Sequence, residues 1–123
     1  MNVAISSSVR WGLCSVLLLL LPTVVLAKRA PPNKIAPLVT EGVRYTIPND
    51  NGRRAYLVAT DDKTGKQLWE LTLFTNTIKP DLEEDVQWVF VDRAKLDGRT
   101  LIAVSESNKT YRVDLDAKKV AAE

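Results

Sequence analysis

The sequence predicts an all-β protein, a small antiparallel meander or sandwich of short strands joined by tight turns. Three observations carry that prediction. Apolar and polar residues alternate along Val43–Ile47, Gln67–Ile78 and Thr110–Leu115, the period of two expected of strands with one buried face. Turn-forming runs, Pro48-Asn49-Asp50-Asn51-Gly52, Lys95-Leu96-Asp97-Gly98-Arg99 with its Asp-Gly pair, and Ser107-Asn108-Lys109, punctuate those strands. Beyond residue 27 no stretch has the amphipathic pattern of a helix of useful length.

Taken in order, residues 1–27 have the layout of an export signal. Arg10 gives a positive start, Trp11–Leu21 is apolar apart from Gly12 and Ser15, Pro22 breaks the helix, and Val25 and Ala27 suit cleavage after Ala27. The apolar stretch carries a proline and falls short of the roughly 20 residues that a spanning helix needs, so no stable membrane anchor is expected once the signal is removed. Residues 28–37, with Pro31, Pro32 and Pro37, read as an extended Pro-rich leader. Residues 38–123 read as a single β domain. Its expected strands are Val43–Ile47, Arg54–Thr60, Gln67–Ile78, Val86–Val91, Leu101–Ser105 and Thr110–Leu115. In the third of these Trp69, Leu71 and Leu73 point inward and Glu70 and Thr72 outward; in the fourth Val86, Trp88 and Phe90 share a face; in the last Tyr111, Val113 and Leu115 point inward. Between the third and fourth, Pro80–Asp85 reads as a loop or single helical turn, its acidic start suited to the helix dipole.

Composition excludes more chemistry than it supports. There is no histidine, and the one cysteine, Cys14, leaves with the signal, so imidazole and thiol catalysis, disulfides and the usual zinc ligand sets are excluded. The balance of 17 basic against 15 acidic residues, with the basic ones dispersed, gives no patch for nucleic acid. The expected location is exported, either periplasmic or secreted, and no cofactor is expected.

The run Ala59-Thr-Asp-Asp-Lys-Thr-Gly-Lys-Gln-Leu-Trp69 reads as strand, tight turn and returning strand. Asp61 and Asp62 can cap amides in the turn, Gly65 can take a positive φ, and Trp69 brings a large apolar area. Trp69 reads as a buried indole, so its truncation to alanine is expected to unfold the domain or dissociate an assembly, at a cost of about 3–5 kcal/mol. This run resembles the tryptophan-docking repeat of quinoprotein-like (PQQ-type) β-propellers through Ala59, Asp61, Thr64, Gly65 and Trp69. The resemblance implies a structural role: the turn closes two outer strands of a blade, and the tryptophan packs between blades. It does not imply a quinone, because the cofactor of that family needs a complete propeller of at least about four blades. A looser second copy lays Tyr56, Val58, Asp61 and Lys63 over Tyr111, Val113, Asp116 and Lys118. That copy departs from the motif, with Asp114 in place of Ala, Lys119 in place of Thr, and no glycine.

Two clusters are candidates for chemistry. Asp81, Glu83, Glu84 and Asp85 lack the spacing and glycine of a calcium loop and read as solvated charges, and they give no sign of a glycosidase pair across a cleft. Tyr56, Trp69, Trp88 and Phe90 could present an aromatic platform to sugars, but their alternation beside apolar neighbours favours the core. The expected function is therefore non-catalytic binding. The partner is a protein, engaged by a strand edge or an inter-blade contact, with self-association included. A carbohydrate-binding module is the alternative, and a hydrolase the remoter one.

Overall fold

A computed structural model describes residues 29–123. The export-signal reading, residues 1–27, lies outside the described residues, and residues 31–123 form one compact unit. That unit is all-β, with eight strands in two four-stranded antiparallel meanders. The first sheet runs β1 (Leu38–Thr40), β2 (Val43–Thr46), β3 (Arg54–Asp61) and β4 (Gln67–Thr75). The second runs β5 (Val91–Asp97), β6 (Thr100–Ser105), β7 (Thr110–Asp114) and β8 (Lys119–Ala122). In each sheet the spatial order of strands is the order of the chain, so every pairing is a local hairpin.

The sheets stack through the faces that alternation selects. Tyr45, Ala55, Leu57, Ala59 and Leu73 of the first sheet share one apolar cluster with Val91, Leu101, Ala103 and Val113 of the second. Phe74 of β4 stacks on Tyr111 of β7, ring centroids 4.8 Å apart. At one end an ion-pair cluster joins hairpin turns: Arg99 lies 2.8 Å from Glu41 in the β1–β2 turn and 2.9 Å from Asp116 in the β7–β8 turn. At the other end Asn49 joins the sheets in the manner of a missing strand. Its side-chain nitrogen donates to the Val91 carbonyl (2.9 Å) and its side-chain oxygen accepts from the Val91 amide (3.1 Å).

Three expectations about elements need correction. Val86, Trp88 and Phe90 do not lie on a strand: Asp85–Gln87 is a single 3₁₀ turn, Val86 is exposed, and the strand begins only at Val91. Lys95 and Leu96, read as part of a turn, continue β5 to Asp97, and Gly98 alone takes the positive φ (61°). Strands β1 and β8 were not expected. The first hairpin is closed by Glu41-Gly42 with φ of 50° and 75°, the mirror-image turn geometry that suits the twist of two strands.

The internal similarity also changes register. Tyr56 and Val58 lie on the outer face of β3, whereas Tyr111 and Val113 are buried, so the two pairs do not superpose. The turns do correspond, with Asp114 and not Asp116 as the counterpart of Asp61. Asp61 accepts from the amides of Lys63 and Thr64 (2.9 and 3.0 Å), and Asp114 accepts from those of Asp116 and Ala117 (both 3.0 Å). Gly65 and Lys118 then take the same left-handed position, φ 77° and 57°.

Candidate functional site

The motif residues Asp61, Thr64 and Gly65 build a turn. The Gly65 amide donates to the Asp61 carbonyl (2.8 Å), the Lys66 amide donates to the Thr64 hydroxyl (3.2 Å), and Asp62 pairs with Arg44 (2.9 Å). Two amides directed at one carboxylate hold the Asp61 carboxyl below its ordinary range. Ala59 is fully buried opposite Trp69 in the β3–β4 ladder. Trp69 itself is half-buried, its ring 5.9 Å from that of Tyr45 and with Lys118 Nζ 5.5 Å from its centroid. Its truncation to alanine is therefore expected to cost about 2 kcal/mol, less than full burial would imply, as checked by urea unfolding.

The aromatic candidates do not form a platform. Tyr56 lies under the Arg54 guanidinium, 4.3 Å from its centroid, and donates to Asp50 at 2.8 Å. Hydrogen bonding to Asp50 pushes its phenol pKa up. Phe90 is buried, and Trp88 is half-buried in a clasp between the sheets. The indole of Trp88 lies against Gly52, and its Nε1 donates to Glu84 Oε2 (3.0 Å). Arg53 Nε donates to the same carboxylate oxygen (2.7 Å). Those bonds, Arg53 first and Trp88 second, hold the Glu84 carboxyl at about 2, down from 4.5. The clasp's contribution to stability is thus complete above about pH 4.5 and is lost as pH falls toward 2. An Arg53→Ala variant is expected to have a shallower acid loss of melting temperature over that window, read by circular dichroism.

The other acidic residues stay open. Asp81 and Glu83 are exposed, as are the apolar side chains of Leu82 (54%) and Val86 (60%). What holds this loop is Gln87, which the sequence did not single out. Its side-chain nitrogen donates to the carbonyls of Lys79, Leu82 and Glu83, and its oxygen accepts from the Lys79 amide at 2.8 Å. A glutamine has no motif around it that announces such a bracing role. Among the described residues no group of three or more His, Cys, Asp or Glu side chains could hold a metal ion.

Two surfaces remain unfilled. One is the free edge of β4, nine residues from Gln67 to Thr75 with a single charge, Glu70, which pairs with Arg54 (2.9 Å). The other edges are shorter or covered. β1 has three residues and β8 four, and the start of β5 is engaged by Asn49 and by Asn33, whose side chain donates to the Asp92 carbonyl at 3.2 Å. The second surface is a groove of about 320 Å³ on the outer face of the second sheet. Its floor is Ile102 and Val104 of β6, and its rim is Arg93 and Lys95 of β5, Arg112 of β7, and Glu123. Glu123 contacts Arg112, Arg93 pairs with its neighbour Asp92 (2.8 Å), and Lys95 has no partner among the described residues. These cations lie on two strands far apart in sequence, so only the sheet brings them together.

The geometry defines a small two-sheet module with an open edge and a charged groove, and comparison adds no family to that class. No protein-family model matches the chain, and no curated protein matches it.

Proposed function

We propose that this chain is an exported, non-catalytic interaction module of blade-like hairpins that binds a protein partner by strand addition at β4. The observation that carries this reading is the β4 edge. An edge strand of nine residues with one charge and no proline or lysine offers a row of backbone groups with no neighbouring strand, the template that sheets use to accept another strand. The similarity of Ala59–Trp69 to a propeller docking repeat supports it, because Trp69 lies on that same strand. The sugar-platform alternative loses support, since Tyr56, Trp69 and Trp88 spend their ring faces or polar atoms on Arg54, Lys118, Gly52 and Glu84.

The test places a lysine on the edge, the device by which natural sheets refuse pairing. Tagged protein recovered from its native exported fraction should carry a stoichiometric partner. Leu68→Lys should reduce that recovery by about tenfold, equivalent to roughly 1.4 kcal/mol. Val39→Lys on β1 should leave it unchanged. Equal recovery with Leu68→Lys would remove the β4 reading.

A further inference from the structure

We infer that the groove on the outer face of the second sheet receives the Asp81–Val86 loop of a second copy of this chain, so that copies associate head to tail. The surfaces match in charge and in apolar content. The groove offers Arg93, Lys95 and Arg112 around a floor of Ile102 and Val104, and the loop offers Asp81 and Glu83 around exposed Leu82, with Val86 following. Of the four large apolar side chains exposed among the described residues, two lie in this one loop. Ile102 is only 7% exposed on an outer sheet face, so the stems of its basic neighbours already shelter an apolar floor.

Glu123 indicates what the groove accepts, since its carboxylate already engages Arg112 there. Lys95 remains without a partner among the described residues, as do the side chains of Asp81 and Glu83. The bracing by Gln87 bears on affinity: four hydrogen bonds from one side chain fix the loop before it docks, so little ordering entropy remains to be lost. Groove and loop are different surfaces, so a contact made once per pair of copies is heterologous and propagates into rings or short chains. A contact with this much exposed charge forms by electrostatic steering and weakens with salt.

The inference does not depend on β4, and its test separates the two. Light scattering behind a sizing column should give the purified protein a mass above the monomer that rises with concentration and falls in high salt. Arg93→Ser/Lys95→Ser neutralises the groove but keeps the loop, and Asp81→Lys/Glu83→Lys spoils the loop but keeps the groove; a neutral groove gives the lysine loop nothing to pair with. All four positions are exposed, and circular dichroism should show both variants folded. Each variant alone should be monomeric. Mixed, they should form a one-to-one dimer and nothing larger, because only one good groove and one good loop remain. A monomeric parent protein, a mixture that stays monomeric, or an oligomer that both variants leave intact would overturn the inference. The last result, with Leu68→Lys dissolving the oligomer, would place self-association at β4.

Discussion

Replacing Gly52 with alanine is expected to destabilise the protein by about 3 kcal/mol, the upper end of the usual cost of overpacking. A Cβ at Gly52 would lie 2.0 Å from Cγ of the Trp88 indole and 2.4 Å from its Cδ1 and Cδ2. That overlap is with the root of a ring, which cannot swing aside as the tip of a flexible chain would. The indole must leave, and with it goes the Trp88 donor to Glu84 and the alignment of Arg53 on the same carboxylate. For a domain of this size the melting temperature should fall by roughly 12–24 °C. A double-mutant cycle identifies the cause: with Trp88 already alanine, adding Gly52→Ala should cost under about 0.5 kcal/mol, because the clash is gone. A full penalty in that background would mean that the glycine matters for its backbone and not for the indole.

The second large effect is expected at the centre of the sandwich. Leu57 of β3 and Leu101 of β6 are both completely buried and belong to the same apolar cluster, one from each sheet. Truncating either to alanine removes transfer energy and leaves a cavity that packed sheets close only partly, a loss of about 2–5 kcal/mol. With marginal stability of about 5–15 kcal/mol in domains generally, the pair together should leave the protein largely unfolded. Urea unfolding should show midpoints falling with unchanged slopes for each single variant. Outward-facing Val58→Ala should cost under about 1 kcal/mol, and a cost equal to that of Leu57→Ala would contradict the assignment of faces.

Much of this fold is legible in the residues, and the exceptions have physical causes. β3, β4 and β7 follow from alternation because one face of each is buried against the opposite sheet, which is the condition the period of two reports. Val86, Trp88 and Phe90 recur with the same period, yet they lie on no strand. Gln87 is drawn back to three carbonyls, Trp88 is seated on Gly52, and those tertiary contacts outweigh a local pattern. β1 and β8 have three and four residues, too few for a period to show, and the turn between β1 and β2 is Glu-Gly rather than the familiar Asn-Gly. Asp61 was readable as a turn-former from its motif. The equivalent turn starts at Asp114, two residues before the position that matching Asp61 to Asp116 implies, and Lys118 there takes the left-handed position usually given to glycine.

The candidate surfaces were less legible than the fold. An unpaired edge is a property of sheet order, and no residue within Gln67–Thr75 says whether β4 has a neighbour on its far side. The groove is assembled from Arg93, Lys95 and Arg112 on non-adjacent strands, so in sequence its charges look dispersed. Only the acidic run was visible beforehand. Its apolar character lies in Leu82 and Val86, which stand exposed beside the carboxylates and which a sequence alone does not distinguish from core residues.

The claim that β4 is the binding edge is tested most directly by photo-crosslinking in the native host. A photoreactive phenylalanine derivative in place of Leu68 should give a discrete adduct with a protein on illumination, and the same probe at Lys63, in the exposed β3–β4 turn, should give none. Adducts from Lys63 alone, or no discrete adduct from Leu68, would contradict strand addition at β4.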